Sequence, residues 1–174
     1  MRNSRNSSSH TLISMYYSTD YSSPIGEMLI VSDGQALCGL WFYGQKHFKS
    51  TIDDEITING DLAIFKRVIK WLDGYFNGLD LEIDFKLNPE GTEFRKKVWK
   101  ILADIPYGET LSYGEIASMI SPEMSAQAVG GAVGHNPISI VIPCHRVVGA
   151  NGKMTGYAGG IDRKIELLKL EKII

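Results

Sequence analysis

Short apolar runs alternate with turn-forming residues at the start of the folded sequence. In MYYSTDYSSPIGEMLIVSDGQALCGLWF, residues 15–42, the runs are broken by Ser-Pro, Asp-Gly and Gly. That spacing predicts consecutive short antiparallel strands, with a turn at Ser32-Asp33-Gly34. The period then changes. Leu62, Phe65, Val68, Ile69, Leu72, Tyr75 and Phe76 recur at helical spacing, and DGYFNGLD closes the helix. Residues 15–80 read as a small α+β unit that contains no catalytic cluster of its own.

LEIDFKLNPEGTEF is a connector, and beyond it the pattern is helical. FRKKVWKIL sets Phe94, Val98, Ile101 and Leu102 on one face, with basic residues opposite. IPYGET breaks that helix. SYGEIASMI then opens on Ser112 with Glu115 three residues later, the pattern of a capping box. SPEM breaks the chain again before SAQAVGGAVGHN. Two short helices around a tight break predict a helix-turn-helix. The second of them, Ser125 to Gly134, is almost entirely Ala, Val and Gly. Glycine costs about 1 kcal/mol against alanine inside a helix, so Gly130 and Gly131 need a reason. Small side chains permit close approach of another surface, either a nucleic-acid groove or a second helix.

NPISIVIPCHRVV predicts a turn at Asn136-Pro137 and then a buried, strand-like run. Pro143 would end that run and present Cys144 at a break in the backbone. The last helix, GGIDRKIELLKLEKII, aligns Ile161, Ile165 and Leu168, with Glu171 at the edge of the apolar face. A carboxylate turned inward there requires a partner. An imidazole would serve, giving Cys–His–Glu as nucleophile, base and orienting group. Cys144 beside His145 is also compatible with a metal ligand or with plain packing. Only 2 Cys and 4 His are present, mostly scattered, and this disfavours zinc. No phosphate-binding glycine loop is present either, so no cofactor is expected.

Composition changes the picture little. The chain has 174 residues, 44% hydrophobic and 22% charged, with a net charge of −2, as expected of a globular protein. Charge is unevenly placed: residues 1–90 carry 8 basic and 12 acidic side chains, residues 91–174 carry 10 and 8. No acidic residue lies between Met124 and Ile161, so a polyanion could approach that stretch without repulsion. Two distant cysteines fit a reducing, cytoplasmic setting, with Cys38 as a buried, inert thiol. Residues 1–14, rich in Ser, Asn and Arg, read as a disordered tail, not a secretory signal. No run approaches the length of a membrane span.

The motifs taken together resemble one family. IPCHRVVG, followed by NGKMTGYAGGIDRKIELLKLE, resembles the active-site region of the O6-alkylguanine-DNA alkyltransferases. The likeness continues upstream through AVGGAVGHNPISIVIP, IPYGETLSYGEIA and GTEFRKKVWKIL to SPIGEMLIVSDGQALCGLWFYGQKHF. It implies a two-domain α+β protein: a small ribonuclease-H-like structural domain over residues 15–88, and a winged helix-turn-helix domain with the active site over residues 89–174. The partner implied is double-stranded DNA containing O6-alkylguanine, with no membrane, no obligate protein partner and a monomeric state. The damaged base would be flipped into a pocket. Cys144 would take the alkyl group once and irreversibly, from O6 of guanine or also O4 of thymine. His145 would act as base through a water, Glu171 would orient it, Tyr113 would assist the leaving guanine, and Asn136 would brace the turn before the nucleophile. The likeness places Ala126, Gln127, Gly130, Gly131, Tyr113 and Arg146 at the DNA. It lines the pocket with Val147, Val148, Tyr157 and Ala158. One departure stands out: many family members open the reading helix with Arg-Ala-Val-Gly, whose Arg enters the base stack, and here that position is Gln127. Two other classes share some of these features. A lesion-binding module of the same fold would lack the nucleophile that Cys144 supplies, and a Cys–His hydrolase would need an oxyanion hole of which the sequence gives no sign.

Overall fold

A computed structural model describes residues 15–174; the expected tail over residues 1–14 lies outside the described residues. Strands β1 (Tyr16–Ser23), β2 (Gly26–Ser32) and β3 (Ala36–Phe42) form an antiparallel meander. Its second turn is the one expected at Ser32-Asp33-Gly34. Asp33 Oδ1 accepts from the backbone N–H of Gln35 and Ala36, each at 2.9 Å, and Gly34 takes the positive φ that the turn demands. β4 (Ile56–Ile58) runs parallel to β1 at one edge. Helix α1 (Ala63–Phe76) lies across one face of the sheet. β5 (Lys86–Leu87) pairs parallel with β3, completing the order β4-β1-β2-β3-β5.

Alternation along the central strands sends Met28, Ile30, Leu37, Leu40 and Phe42 towards α1, and Leu29, Val31, Cys38 and Trp41 to a smaller cluster behind. Leu37 and Leu40 share a face although three residues apart, because the register shifts beside Val31 and Ser32; a bulge inserts one residue and restores the phase. Gly39 falls in the bulge, where a Cβ would collide with the Trp41 ring.

The second unit begins with α2 (Glu93–Ala103), whose N-terminus Thr92 caps by accepting from Arg95 N–H at 3.2 Å. β6 (Leu111–Ser112) leads into α3 (Tyr113–Ile120). Both halves of the Ser112–Glu115 capping box are formed. α4 (Ala126–Gly134) follows with Ser125 as its cap, completing the helix-turn-helix. β7 (Val147–Val148) pairs parallel with β6, and α5 (Ile161–Leu170) ends the fold.

Residues 137–142 depart from the expected strand. Only Ile138 bridges to a strand, opposite Leu40, with Leu40 N–H donating to Pro137 O at 2.8 Å and Ser139 N–H to Leu40 O at 2.9 Å. The rest is a tight buried turn with Ile140 at φ 69, a region that β-branched residues rarely enter. The Asn136 side chain makes this possible. Its Oδ1 accepts from Ile138 N–H at 3.0 Å and its Nδ2 donates to Ile142 O at 2.8 Å, so backbone groups that a strand would pair with a ladder are satisfied from within. α5 also differs in phase. Ile161 is exposed and Ile165 half-buried, and the face turned inward carries Lys164, Leu167, Leu168 and Glu171.

One hydrophobic core runs through both units, from Met28 and Phe65 to Trp99, Val129 and Leu167. Each fully buried Leu or Phe is worth roughly 1.5–3 kcal/mol. That shared packing, more than the few hydrogen bonds between them, fixes the first unit against the second.

Candidate active site

Cys144 opens a single 3-10 turn, Cys144–Arg146, directly after Pro143. The proline ends the preceding turn and the thiol stands at the break, bordering a cavity of about 510 Å³. Cys144 is 5% exposed. Burial pushes its thiol pKa up, while a hydrogen bond from the Asn136 side chain and the charge of Lys164 oppose that rise.

His145 and Arg146, the next two residues, turn away into the interior and converge on Glu171 at the end of α5. Glu171 is 3% exposed and receives four donors. Its Oε2 lies 2.5 Å from His145 Nε2 and accepts the Tyr75 hydroxyl at 2.6 Å. Its Oε1 accepts Arg146 Nε–H at 2.8 Å and Gly108 N–H at 3.0 Å. Burial alone would raise this carboxyl, but the bonds from His145, Arg146 and Tyr75 outweigh it and hold the pKa at about 2. Glu171 is therefore a fixed anion and Arg146 its counterion. Burial drives His145 below the usual imidazole value despite Glu171. A neutral ring that donates Nε2–H to a carboxylate keeps its lone pair on Nδ1. That Nδ1 is buried and has no protein partner; Tyr157 Oη is another such atom.

The cavity lies between α4 and the segment after β7. Tyr113, Gly130, Gly131, Cys144, Tyr157 and Ala158 all border it. Tyr113 Oη accepts from Thr155 Oγ1 at 3.3 Å, fixing the ring over the Gly130 face. Neither glycine is demanded by internal packing: a Cβ at Gly130 would make ordinary contact with Tyr113, and one at Gly131 would meet nothing. The small-residue face of α4 is open, so close packing of a second helix is not its reason. Ala126 and Gln127 stand exposed at its first turn.

Two expected placements differ. Arg146, expected at the DNA, is 8% exposed. It is consumed by Glu171 and by Ile105 O, to which Nη1 donates at 2.7 Å. A buried guanidinium needs such partners, and they hold it off the surface. Val147 and Val148, expected in the pocket wall, pair with β6 behind the cavity and do not border it.

Four participants escaped the sequence reading. Tyr75, from α1, brings the first unit into the Glu171 network. Lys164 is wholly buried. Its Nζ donates to Val147 O at 2.5 Å and Thr155 O at 3.3 Å, tying the strand after Cys144 to the segment that leads to the cavity wall. Burial lowers it to about 8, with Cys144 acting the other way. The helical phase of α5 held the signal, since Lys164 precedes Leu167 and Leu168 by three and four positions. Lys46 and His47 complete the cavity rim from the first unit.

Among the described residues no group of three or more His, Cys, Asp or Glu is arranged to hold a metal, and no helix is long and apolar enough to cross a membrane.

Residues 15–89 match the family model "6-O-methylguanine DNA methyltransferase, ribonuclease-like domain", and residues 93–173 match "6-O-methylguanine DNA methyltransferase, DNA binding domain". A methylated-DNA–protein-cysteine methyltransferase of Methanosarcina acetivorans is 48% identical over 157 residues, covering 90% of this chain and 98% of that protein. The Mycobacterium tuberculosis protein of the same name is 47% identical over 150 residues, covering 86% and 88%. Among solved structures, Mycobacterium tuberculosis OGT in complex with DNA superposes with a TM-score of 0.79 at 46% identity, over 91% of this chain and 92% of that one.

Proposed function

The chain belongs to the O6-methylguanine DNA methyltransferase family, and from that premise we propose that it repairs alkylated DNA by moving the alkyl group from O6 of guanine to Cys144. The observation that carries this reading is the pairing of Cys144 on an open cavity with a His145 whose Nε2 is committed to Glu171 and whose Nδ1 is free. A water of two or more polar partners fits between an orphaned ring nitrogen and a thiol. His145 Nδ1 takes the thiol proton through that water. The resulting imidazolium is stabilised by Glu171, and Tyr75 and Arg146 hold the carboxylate in place. Sulfur attacks the alkyl carbon in line, a C–S bond forms, and the C–O bond to guanine breaks. Guanine leaves with its electron pair and receives a hydrogen bond or proton from Tyr113. A thioether has no easy route back, so each molecule acts once.

Chemistry on a paired base requires it out of the stack. The open small-residue face of α4 supports docking in a DNA groove, with Gln127 at the gap left by the extruded base and Gly130 and Gly131 beside its path. Tyr157 and Ala158 border the alkyl group. The same reading has the protein act as a monomer in the reducing cytoplasm, consistent with its two free cysteines. The alkyl–oxygen bond at O4 of thymine presents the same target to a thiolate, and a duplex bearing O4-methylthymine tests it by the same mass gain.

The test is intact mass. Protein incubated under reductant with excess duplex bearing O6-methylguanine should gain one CH2, mapped to the Cys144 peptide, with equal loss of lesion. Binding without mass gain would make the protein a lesion-binding module. Repeated turnover on esters or amides would make it a thiol hydrolase.

A further inference from the structure

We propose that Lys46 and His47 of the first unit, together with His135 at the end of α4, form a site for a phosphodiester of the DNA strand that feeds the cavity. The inference rests on the reading of the protein as a DNA alkyltransferase and adds the first unit to its DNA contacts. The His47 and His135 rings stack with centroids 3.8 Å apart and planes 27° from parallel. They come from different units of the fold, and with Lys46 both border the cavity. No carboxylate lines that cavity, so its rim presents only neutral and basic groups to an incoming anion.

The turn carrying His47 is held in place against its own preference. His47 has φ 57 and Lys49 φ 58, a left-handed backbone that non-glycine residues seldom adopt without a reason in function. Lys46 N–H anchors the turn to Ala158 O at 3.1 Å, and Gln45 Oε1 accepts Phe42 N–H at 2.8 Å. The site is thus fastened to the wall that borders Cys144. On α4, His135 Nδ1 lies 2.7 Å from Gly131 O. A carbonyl only accepts, so Nδ1 is the ring nitrogen that donates to it.

Two imidazoles in this stack repel if both are charged. Burial, then His135, Lys46 and Arg95, keep His47 below its ordinary value. The free protein at neutral pH therefore holds a neutral His47. A phosphate on the rim reverses the balance, because an anion favours the charged form of His47. DNA binding then takes up a proton, and affinity rises as pH falls.

Duplex binding by the full chain, titrated with salt at about pH 6 and about pH 8, tests this. The variants are His47→Asn, which tolerates left-handed backbone but cannot become cationic, and Lys46→Gln. Wild type should bind several-fold tighter at the lower pH. His47→Asn should lose most of that gain, and Lys46→Gln should reduce the slope of log K against log salt by about one. Affinity independent of pH in wild type, with both variants keeping its slope, overturns the phosphate site. Methyl transfer to Cys144 is measured on the same samples. Transfer by wild type with unaltered binding in both variants removes this inference alone; no binding and no transfer by wild type removes the alkyltransferase reading with it.

Discussion

The two cysteines sit in environments alike in burial and opposite in everything else. Cys38 is 2% exposed, in the middle of β3, among Leu29, Val31, Trp41 and Ile52. Burial, reinforced by the negative charge of Asp33, pushes its thiol up to about 12. Cys144 is raised by burial too, but the polar groups around it, the Asn136 amide and the Lys164 ammonium, favour the thiolate. Cys38 lies 3.7 Å from Ala36 O of its own strand and beside the Asp33 turn. Cys144 stands at a backbone break that opens on a cavity. Burial alone does not separate the two thiols; the sign of the neighbouring charge and the open cavity do.

The sharpest way to break this contrast is to delete each sulfur. Cys144→Ala should abolish alkyl transfer entirely, with no gain in mass, because no other thiol borders the cavity. Cys38→Ala should leave the transfer rate within about twofold of wild type while lowering unfolding free energy by about 1 kcal/mol, the usual cost of a small core truncation. Alkylation persisting in Cys144→Ala would place the nucleophile elsewhere.

Glu171→Gln tests whether the base behind Cys144 matters as much as the thiol. The substitution leaves Arg146 buried without its counterion, which costs about 3–5 kcal/mol. It also removes the anion that supports an imidazolium, so transfer should slow by about 100-fold. The sign with pH is fixed by the depressed carboxyl. Its pKa is about 2 in the folded protein against an ordinary value of 4.5, so its stabilisation is complete above about 4.5 and is lost as pH falls towards 2. The stability gap between wild type and Glu171→Gln, read from denaturant curves, should narrow across that window. A gap that stays constant would mean the carboxylate is not what holds the network. Tyr75→Phe, a milder cut, removes one charge-assisted hydrogen bond. It should cost about 1–2 kcal/mol and slow transfer several-fold, the signature of a first unit that reaches into the chemistry.

What the sequence revealed divides along the range of the interactions. α2 and the Ser112 capping box were legible because each is decided within four residues. The meeting of His145 with Glu171 was legible from the helical phase that places Glu171 at the edge of an apolar face. Tyr75 was not, since its partners lie 70 and 96 residues away in the chain, and a tyrosine at helical spacing among Trp71, Leu72 and Phe76 reads as core. Arg146 misled for the same reason: beside a nucleophile in a DNA-facing motif it suggests a phosphate contact, and only the distant Glu171 reveals it as buried structure. The run from Ile138 to Ile142 carries the composition of a strand, but one amide, Asn136, satisfies its backbone from within and overrides the propensity.

The smallest expected effect concerns the route, the other half of the contrast between the cysteines. Cys38 has none, and Cys144 borders a cavity that, on the proposed reading, a base must leave its stack to enter. Gln127 stands exposed at the first turn of α4, where many relatives of this pattern carry arginine. Glutamine can hydrogen-bond an orphaned base, but it is neutral and shorter, and it lacks the planar cation that stacks on aromatic faces. Gln127→Arg should therefore stabilise the extruded state and raise the single-turnover rate on duplex DNA by about threefold, well under the tenfold that 1.36 kcal/mol would give. The same change should leave transfer from the free alkylated base unaffected, because no stack has to be filled there. A duplex rate that is unchanged or lower would show that extrusion is not limited at this position, and would shift the control of access to the basic rim at Lys46, His47 and His135.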